Sequence, residues 1–185
     1  MSKQILILAG SPRKNGNSAA LCRAFARGAE ESGHQVETVF LRDKKIGYCL
    51  ACYHCKNSGG TCIIKDDMAD ILDKMNAADV IVMASPVYFY SIDAQMKALI
   101  DRTVAQWLII KNKEFYYIMT AAEESDTVMD CTLECFRGLA RDEKSRTFSS
   151  NSRRSYILRT SSRSIRLILS SIVSLAVWLK CTRTI

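Results

Sequence analysis

The chain has 185 residues, 48% of them hydrophobic, and a formal net charge of +7, values that suit one folded domain with a sizeable core and exclude a disordered or collagenous chain. The positive charge lies entirely in residues 141–185, where ten Lys and Arg face two Asp and Glu; residues 1–140 carry 16 against 17. A nucleic-acid footprint needs a basic patch with base-reading groups in a binding fold, and the first 140 residues offer none. The apolar run after Lys3 is too short for a signal peptide, so the chain reads as cytoplasmic, and its eight cysteines point to metal or redox chemistry before disulfides.

Gln4 to Leu8 is a short continuous apolar run, the pattern of a strand buried on both faces of a parallel sheet. The stretch AGSPRKNGNS, Ala9 to Ser18, follows it and leads into a helical pattern from Ala19 to Glu31 that Gly33 stops. This loop reads as a phosphate cradle. Gly10 and Gly16 permit unusual backbone conformations, and Pro12 sets the turn. Ser11, Asn17 and Ser18 offer short polar side chains to an anion or a helix N-cap, and Arg13 and Lys14 supply positive charge. A loop between a buried strand and a helix N-terminus presents free N–H groups and the positive dipole end to an anion. An ordinary capped turn has the same local pattern, so the loop alone leaves both readings open.

Gln35 to Phe40 is the second strand, and an irregular stretch from Leu41 to Lys65 with four cysteines precedes a helix opened by Asp66, Asp67 and Asp70. Asp79 to Ser85 is a third strand, followed by PVYFYSID and a helix running from Ser91 or Asp93 to about Ile110. Glu114 to Thr120 is a fourth strand, and AAEESD leads to a helix near Thr127 to Ala140. Strands alternating with helices predict an α/β three-layer sandwich around a parallel sheet with right-handed crossovers, and five strands are expected in 2-1-3-4-5, a common order of doubly wound sheets. In that order the ligand crevice lies at the carboxyl ends of strands 1 and 3, which carry the cradle and PVYFY. The whole chain, 1–185, is expected to form one domain, clear over 1–140. The basic Ser/Arg-rich tail, 141–185, is divergent, with Tyr156 to Arg159 as a fifth strand and Ile165 to Lys180 as a last helix. The tail's abrupt change of composition is also what a frame-shifted or replaced segment shows. Its charge-free run, Leu167 to Leu179, is shorter than the ~20 residues a membrane span needs.

Pro86 to Tyr90 places three aromatic residues at the crevice, which suits a flat amphipathic ring such as a flavin and equally suits packing on the next helix. Gly10 to Gly16 lacks the Lys-Ser/Thr ending of an ATP-binding P-loop, and GxGxxG is absent. Cys49, Cys52, Cys55 and Cys62 have the compact spacing of an iron-sulfur run and can equally hold zinc or serve as redox-sensitive or apolar thiols. Cys22, Cys131 and Cys135 fall in helical patterns and read as core residues. His34 reads as a solvated turn residue, and His54 has no paired catalytic group in sequence. No Ser/His/Asp or Cys/His arrangement is visible, and a flavin enzyme requires none.

GSPRKNGNS after the first strand, the cysteine segment ending in CIIKDDM, and SPVYFYSIDAQMKALIDR together resemble the NADPH-dependent FMN reductase group of flavodoxin-like proteins over about residues 1–140. The resemblance implies an FMN phosphate held by the cradle (Ser11, Arg13, Lys14, Gly16, Asn17 and Ser18) and a ring bordered by Pro86, Val87, Tyr88 and Phe89. The loop at Thr120, Ala121 and Glu123 would approach the ring. It further implies hydride transfer from NAD(P)H through FMN to a small acceptor such as a quinone, nitroaromatic or flavin, in a homodimer or tetramer. The cysteine loop resembles that of iron-sulfur flavoproteins, in which a 4Fe-4S cluster exchanges electrons with FMN and a redox protein partner becomes an alternative to the small acceptor. A non-enzymatic zinc or redox-sensing module is the third alternative.

Overall fold

The computed structural model describes residues 2–110, 112–123, 126–140, 156–161 and 164–168. In chain order the elements are β1 (Gln4–Ala9), α1 (Asn17–Glu31), β2 (Gln35–Phe40), α2 (His54–Asn57), α3 (Met68–Ala77), β3 (Val80–Pro86), α4 (Ala94–Arg102), β4 (Glu114–Thr120), α5 (Asp130–Ala140), β5 (Tyr156–Ser161) and β6 (Ser164–Ile168).

Continuous apolar sequence in β1 and β3 follows from burial on both faces. Successive side chains point to opposite sides. Leu6, Leu8, Ile81 and Met83 pack with Ile71, Met96, Leu99 and Phe136 of α3, α4 and α5. Ile5, Ile7, Val80 and Val82 pack with Leu21 and Cys22 of α1. The result is a sheet between two helical layers. Gly33, at φ +83, ends α1 as its sequence position predicts, because a left-handed residue there carries little penalty without a Cβ.

Four strands form the parallel core in the order β2-β1-β3-β4, the flavodoxin-like arrangement. The expected five-stranded all-parallel sheet is corrected: beyond β4 the sheet continues through β5, parallel, to β6, antiparallel, so six strands share one sheet. Ser164–Ile168 is therefore a strand where a helix from Ile165 was expected, and the remainder of that helix lies outside the described residues. Alternating Ile165, Leu167 and Arg166 suits a β-pairing period better than a helical stripe.

The helix expected to reach Ile110 ends as α4 at Arg102 and continues only as a 3-10 turn, Thr103–Ala105. Two side chains account for the break. Thr103 Oγ1 donates to Ile100 O at 2.7 Å, and Arg102 is drawn aside into an ion pair described below. The predicted helix near Thr127 likewise resolves into a 3-10 turn, Asp126–Met129, followed by α5.

Candidate functional site

Ala9 pairs with Ala84 and Pro86 with Thr120, so the loops after β1, β3 and β4 leave the sheet at one edge. Gly10 N donates to Ala84 O at 2.8 Å and Val87 N to Thr120 O at 2.7 Å, extending the ladder into these loops. Within the cradle, Arg13 N donates to Ser11 Oγ at 3.3 Å, and Gly16 N points back to Arg13 O. Gly16 is the N-cap of α1, and no side chain caps that end. Ser11, Asn17 and Ser18 thus do not serve as the cap their types allowed. The first-turn N–H groups of a 15-residue helix remain directed at the loop, where an anion satisfies both the donors and the dipole. Arg13, Lys14 and Asn17 are exposed around it, whereas Ser11 and Ser18 are buried. Ser18 Oγ lies 2.7 Å from Thr120 Oγ1 in a buried hydrogen bond, so its hydroxyl braces the cradle against β4.

The aromatic loop closes on itself. Tyr88 N donates to Ser91 O at 2.9 Å and Ser91 N to Tyr88 O at 3.1 Å, with Phe89 and Tyr90 at φ +49 and +62 between them. Left-handed backbone at two aromatic residues costs energy that a turn of Asn and Gly would avoid. That strain projects Phe89 into solvent, 98% exposed, with Tyr88 and Tyr90 also exposed, while Pro86 is buried and Val87 half-buried. Ala121 is half-buried and Glu123 exposed just beyond Thr120.

Asp93, whose sequence position marks only a helix start, joins the two loops. Its Oδ1 caps α4 by accepting Met96 N at 2.9 Å, and its Oδ2 lies 2.7 Å from Ser85 Oγ. A Cβ at Gly10 would stand 2.2 Å from that same oxygen, so only glycine lets the end of β1 lie against the carboxyl group. Burial pushes the Asp93 carboxyl above its ordinary range, against the bonds from Ser85 and the α4 backbone.

The four cysteines Cys49, Cys52, Cys55 and Cys62 line one cavity of about 620 Å³ together with Arg102 and Cys135. Left-handed backbone at Ala51 and Tyr53 curls the loop around it. Among the described residues no three metal-ligating side chains come together as a group that could hold a metal ion. Arg102 is 2% exposed and forms a two-pronged pair with Asp66, Nη1 to Oδ2 at 2.8 Å and Nη2 to Oδ1 at 3.1 Å, while Nη1 also donates to Gly47 O at 2.9 Å. Asp66 accepts Gly47 N at 2.8 Å and Met68 N at 3.1 Å. One ion pair thereby clasps the start and the end of the cysteine loop to α4. Burial opposes both charges, but for Asp66 the bonds from Arg102, Gly47 and Met68 prevail and hold its carboxyl below the ordinary range. For Arg102 burial is likewise outweighed by Asp66 and by nearby Cys62, which hold the guanidinium above its ordinary range.

Arg102 Nε is buried without a hydrogen-bond partner. An orphaned cationic donor on a thiol-lined wall fits an anionic iron-sulfur group in charge and donor chemistry. The uncapped helix-terminal donors of the cradle, with Arg13 and Lys14 exposed beside them, likewise fit a phosphate.

Other cysteines divide differently from expectation. Cys22 is a core residue, its thiol pushed up to about 12 by burial despite the opposing charge of Arg23. Cys131 is exposed and so lies outside the core, whereas Cys135 is half-buried, packed against the core margin, with its sulfur 3.6 Å from Ser91 Oγ. His34, expected in solvent, accepts Lys3 N through Nδ1 at 3.2 Å and is half-buried. Asp93 and Arg102 escaped sequence reading as site residues. The only available signal was a carboxylate at an N-cap position and a cation on an otherwise apolar helix face.

The sequence profile of a family described as NADPH-dependent FMN reductase matches residues 4–127. An iron-sulfur flavoprotein of Methanosarcina thermophila is 40% identical over 108 residues, 58% of this chain and 54% of that one. Another, from Methanocaldococcus jannaschii, is 41% identical over 100 residues, 54% and 51% of the two chains. The chain spans about half the length of these curated relatives. Among solved structures, an azoreductase of Bacillus anthracis superposes with a TM-score of 0.67 at 14% identity, covering 87% of each chain. An NAD(P)H:quinone oxidoreductase of Methanothermobacter marburgensis superposes at 0.60 and 18% identity, covering 89% of this chain and 86% of that one. At such identities these structures speak for the fold. Among the described residues no helix is long and apolar enough to cross a membrane.

Proposed function

The chain belongs to the NADPH-dependent FMN reductase family, and from that membership we propose that it is an FMN-dependent NAD(P)H oxidoreductase passing electrons to a small acceptor such as a quinone, nitroaromatic or flavin. The observation that carries this reading is the meeting of three strand-end loops at one edge of the sheet, with an uncapped helix N-terminus among them. Bound FMN supplies the hydride and electron chemistry. The residues Ser11, Arg13, Lys14, Gly16, Asn17 and Ser18 hold its phosphate, with the first-turn N–H groups of α1 as donors and Arg13 and Lys14 as counter-charges. Pro86, Val87, Tyr88 and Phe89 border the ring on one side, and Thr120, Ala121 and Glu123 on another. Backbone N–H groups aimed at the ring favour the form that has gained electrons. The proposed protein is one cytoplasmic domain that works as a homodimer or tetramer, with exposed Phe89 as an aromatic group available to a ring or to a second subunit.

Anaerobic titration with NADPH tests the reading. One FMN per chain should co-purify and bleach on addition of NADPH; absence of flavin, or flavin that NADPH leaves oxidised, overturns it.

The cysteine-lined cavity and the orphaned Arg102 Nε favour a second reading, an FMN and iron-sulfur electron-transfer protein in which Cys49, Cys52, Cys55 and Cys62 hold a 4Fe-4S cluster and a redox protein is the partner. Its relatives carry the name iron-sulfur flavoprotein, which supports it. Anaerobic purification decides between the two: broad visible absorption beneath the flavin bands, with matched iron and sulfide, supports the cluster, and a plain flavin spectrum removes it. Stoichiometric zinc without flavin would instead support a zinc or redox-sensing module.

A further inference from the structure

We propose that Asp93 keeps its proton in the folded protein and, as an uncharged carboxylic acid, is the positioning residue that fixes the cradle loop against the aromatic loop. The inference rests on a count of hydrogens. Ser85 Oγ has three polar neighbours: Asp93 N at 2.9 Å, Pro86 O at 2.7 Å and Asp93 Oδ2 at 2.7 Å. The amide brings its own hydrogen, which leaves the single hydroxyl hydrogen of Ser85 to serve two oxygens. The Pro86 carbonyl has none to give. A carboxylate at position 93 would therefore leave two oxygens in contact at 2.7 Å with no hydrogen between them. With a proton on Oδ2, Asp93 donates to Ser85 Oγ, Ser85 donates to Pro86 O, and Oδ1 still accepts Met96 N at 2.9 Å. Every contact then has its hydrogen.

The surroundings agree with an uncharged group. Asp93 is 1% exposed, and no Lys, Arg or His among the described residues forms an ion pair with it. The groups shown against its carboxyl are Gly10, just beyond β1, the Ser85 hydroxyl of β3, and the backbone N–H groups of Asp93 itself and of Gln95 and Met96 at the start of α4, none of them titratable; those N–H groups and Ser85 favour a charge that burial outweighs. An unpaired buried carboxylate is costly, and a neutral acid that donates a hydrogen bond avoids that cost. One side chain thus sets Gly10, the hinge of the cradle, relative to Ser85, the base of the aromatic loop. Where the proposed flavin site holds, the same proton removes a buried negative charge from beside the phosphate loop; the hydrogen count itself does not depend on that site.

Infrared spectroscopy of the full chain at neutral pH tests the proposal. A protonated-carboxyl carbonyl band is expected in the wild type and is lost in Asp93→Asn; a wild type without the band overturns the proposal. Should Asp93→Asn fail to fold, Asp93→Ser keeps a capping oxygen for Met96 N and must lose the same band. Unfolding measurements give an independent readout. The unfolded carboxyl releases its proton at ordinary carboxylate pH while the folded one does not, so wild-type stability should fall relative to Asp93→Asn as pH rises from about 4 towards the raised folded value. A difference between the two proteins that stays flat over this range overturns the proposal. FMN binding is followed in parallel by flavin fluorescence: a carboxyl band with no FMN binding supports protonated Asp93 and overturns the flavin site instead.

Discussion

The cradle starts on the last residue of β1 and the aromatic loop on the last residue of β3, so the ladder itself delivers both to the crevice. The cysteine segment, residues 44–65, has only the four residues of α2 as regular structure and takes its place from the clasp of Arg102 on Asp66 and Gly47. The strand ladder does most to place the first region; in the second, the charge pair works beside the two bonds that tie Lys45 to Asp67. Damage should therefore spread differently: a fault in the crevice stays near the crevice, whereas losing the clasp frees a whole loop.

The largest expected effect comes from Arg102→Ala. Removing Arg102 leaves the half-buried Asp66 carboxylate with only its backbone donors, a loss of about 3 kcal/mol, read by urea unfolding, with the cysteine loop becoming open to protease. Stability within experimental error of the wild type would show that the loop is held by other means. Arg13→Glu should act on ligand affinity and hardly on stability. Opposing the phosphate instead of pairing with it removes a charge-assisted contact of about 1.5–3 kcal/mol, or about ten- to a hundredfold in FMN affinity by fluorescence titration. Gly10→Ala drives a methyl group into Asp93 and should cost about 1–3 kcal/mol in thermal unfolding while weakening FMN retention.

Acid separates the two regions with no substitution at all. Because Asp66 is held below its ordinary range when folded, the stability it contributes is present at neutral pH and lost as pH falls through the ordinary carboxylate range towards the folded value. Asp93 contributes in the opposite sense. Hydrogen exchange should show the cysteine loop opening in acid before the crevice does. The smallest effect on stability, within about 0.5 kcal/mol, is expected for Cys52→Ser, an exposed position. Its diagnostic is iron content, which should fall if these thiols hold a cluster.

Much of this arrangement is legible in the sequence. The bounds of β2 and β4 agree with those expected, because each apolar run is closed by turn residues or by a change of period. The cradle and PVYFY stand out for the same local reasons. The end of α4 does not, since Arg102 leaves the helical pattern for a partner 36 positions away in Asp66. Asp93 looks like any helix cap until Ser85 and Gly10 are seen against it. Nor could the antiparallel β6 be foreseen, because a short apolar run suits strand and helix alike until its pairing partner is known.

The bond between Ser18 and Thr120 joins residues 102 positions apart. Its consequence lies in the order of assembly. A ribosome that has released only the cradle and the aromatic loop has not made the crevice, because β4 must emerge and dock before α1 is braced. Contacts of such sequence separation form late and slow folding. Completion of the crevice thus coincides with docking of β4, and a ligand bound there, as proposed, would select for chains that have reached that stage.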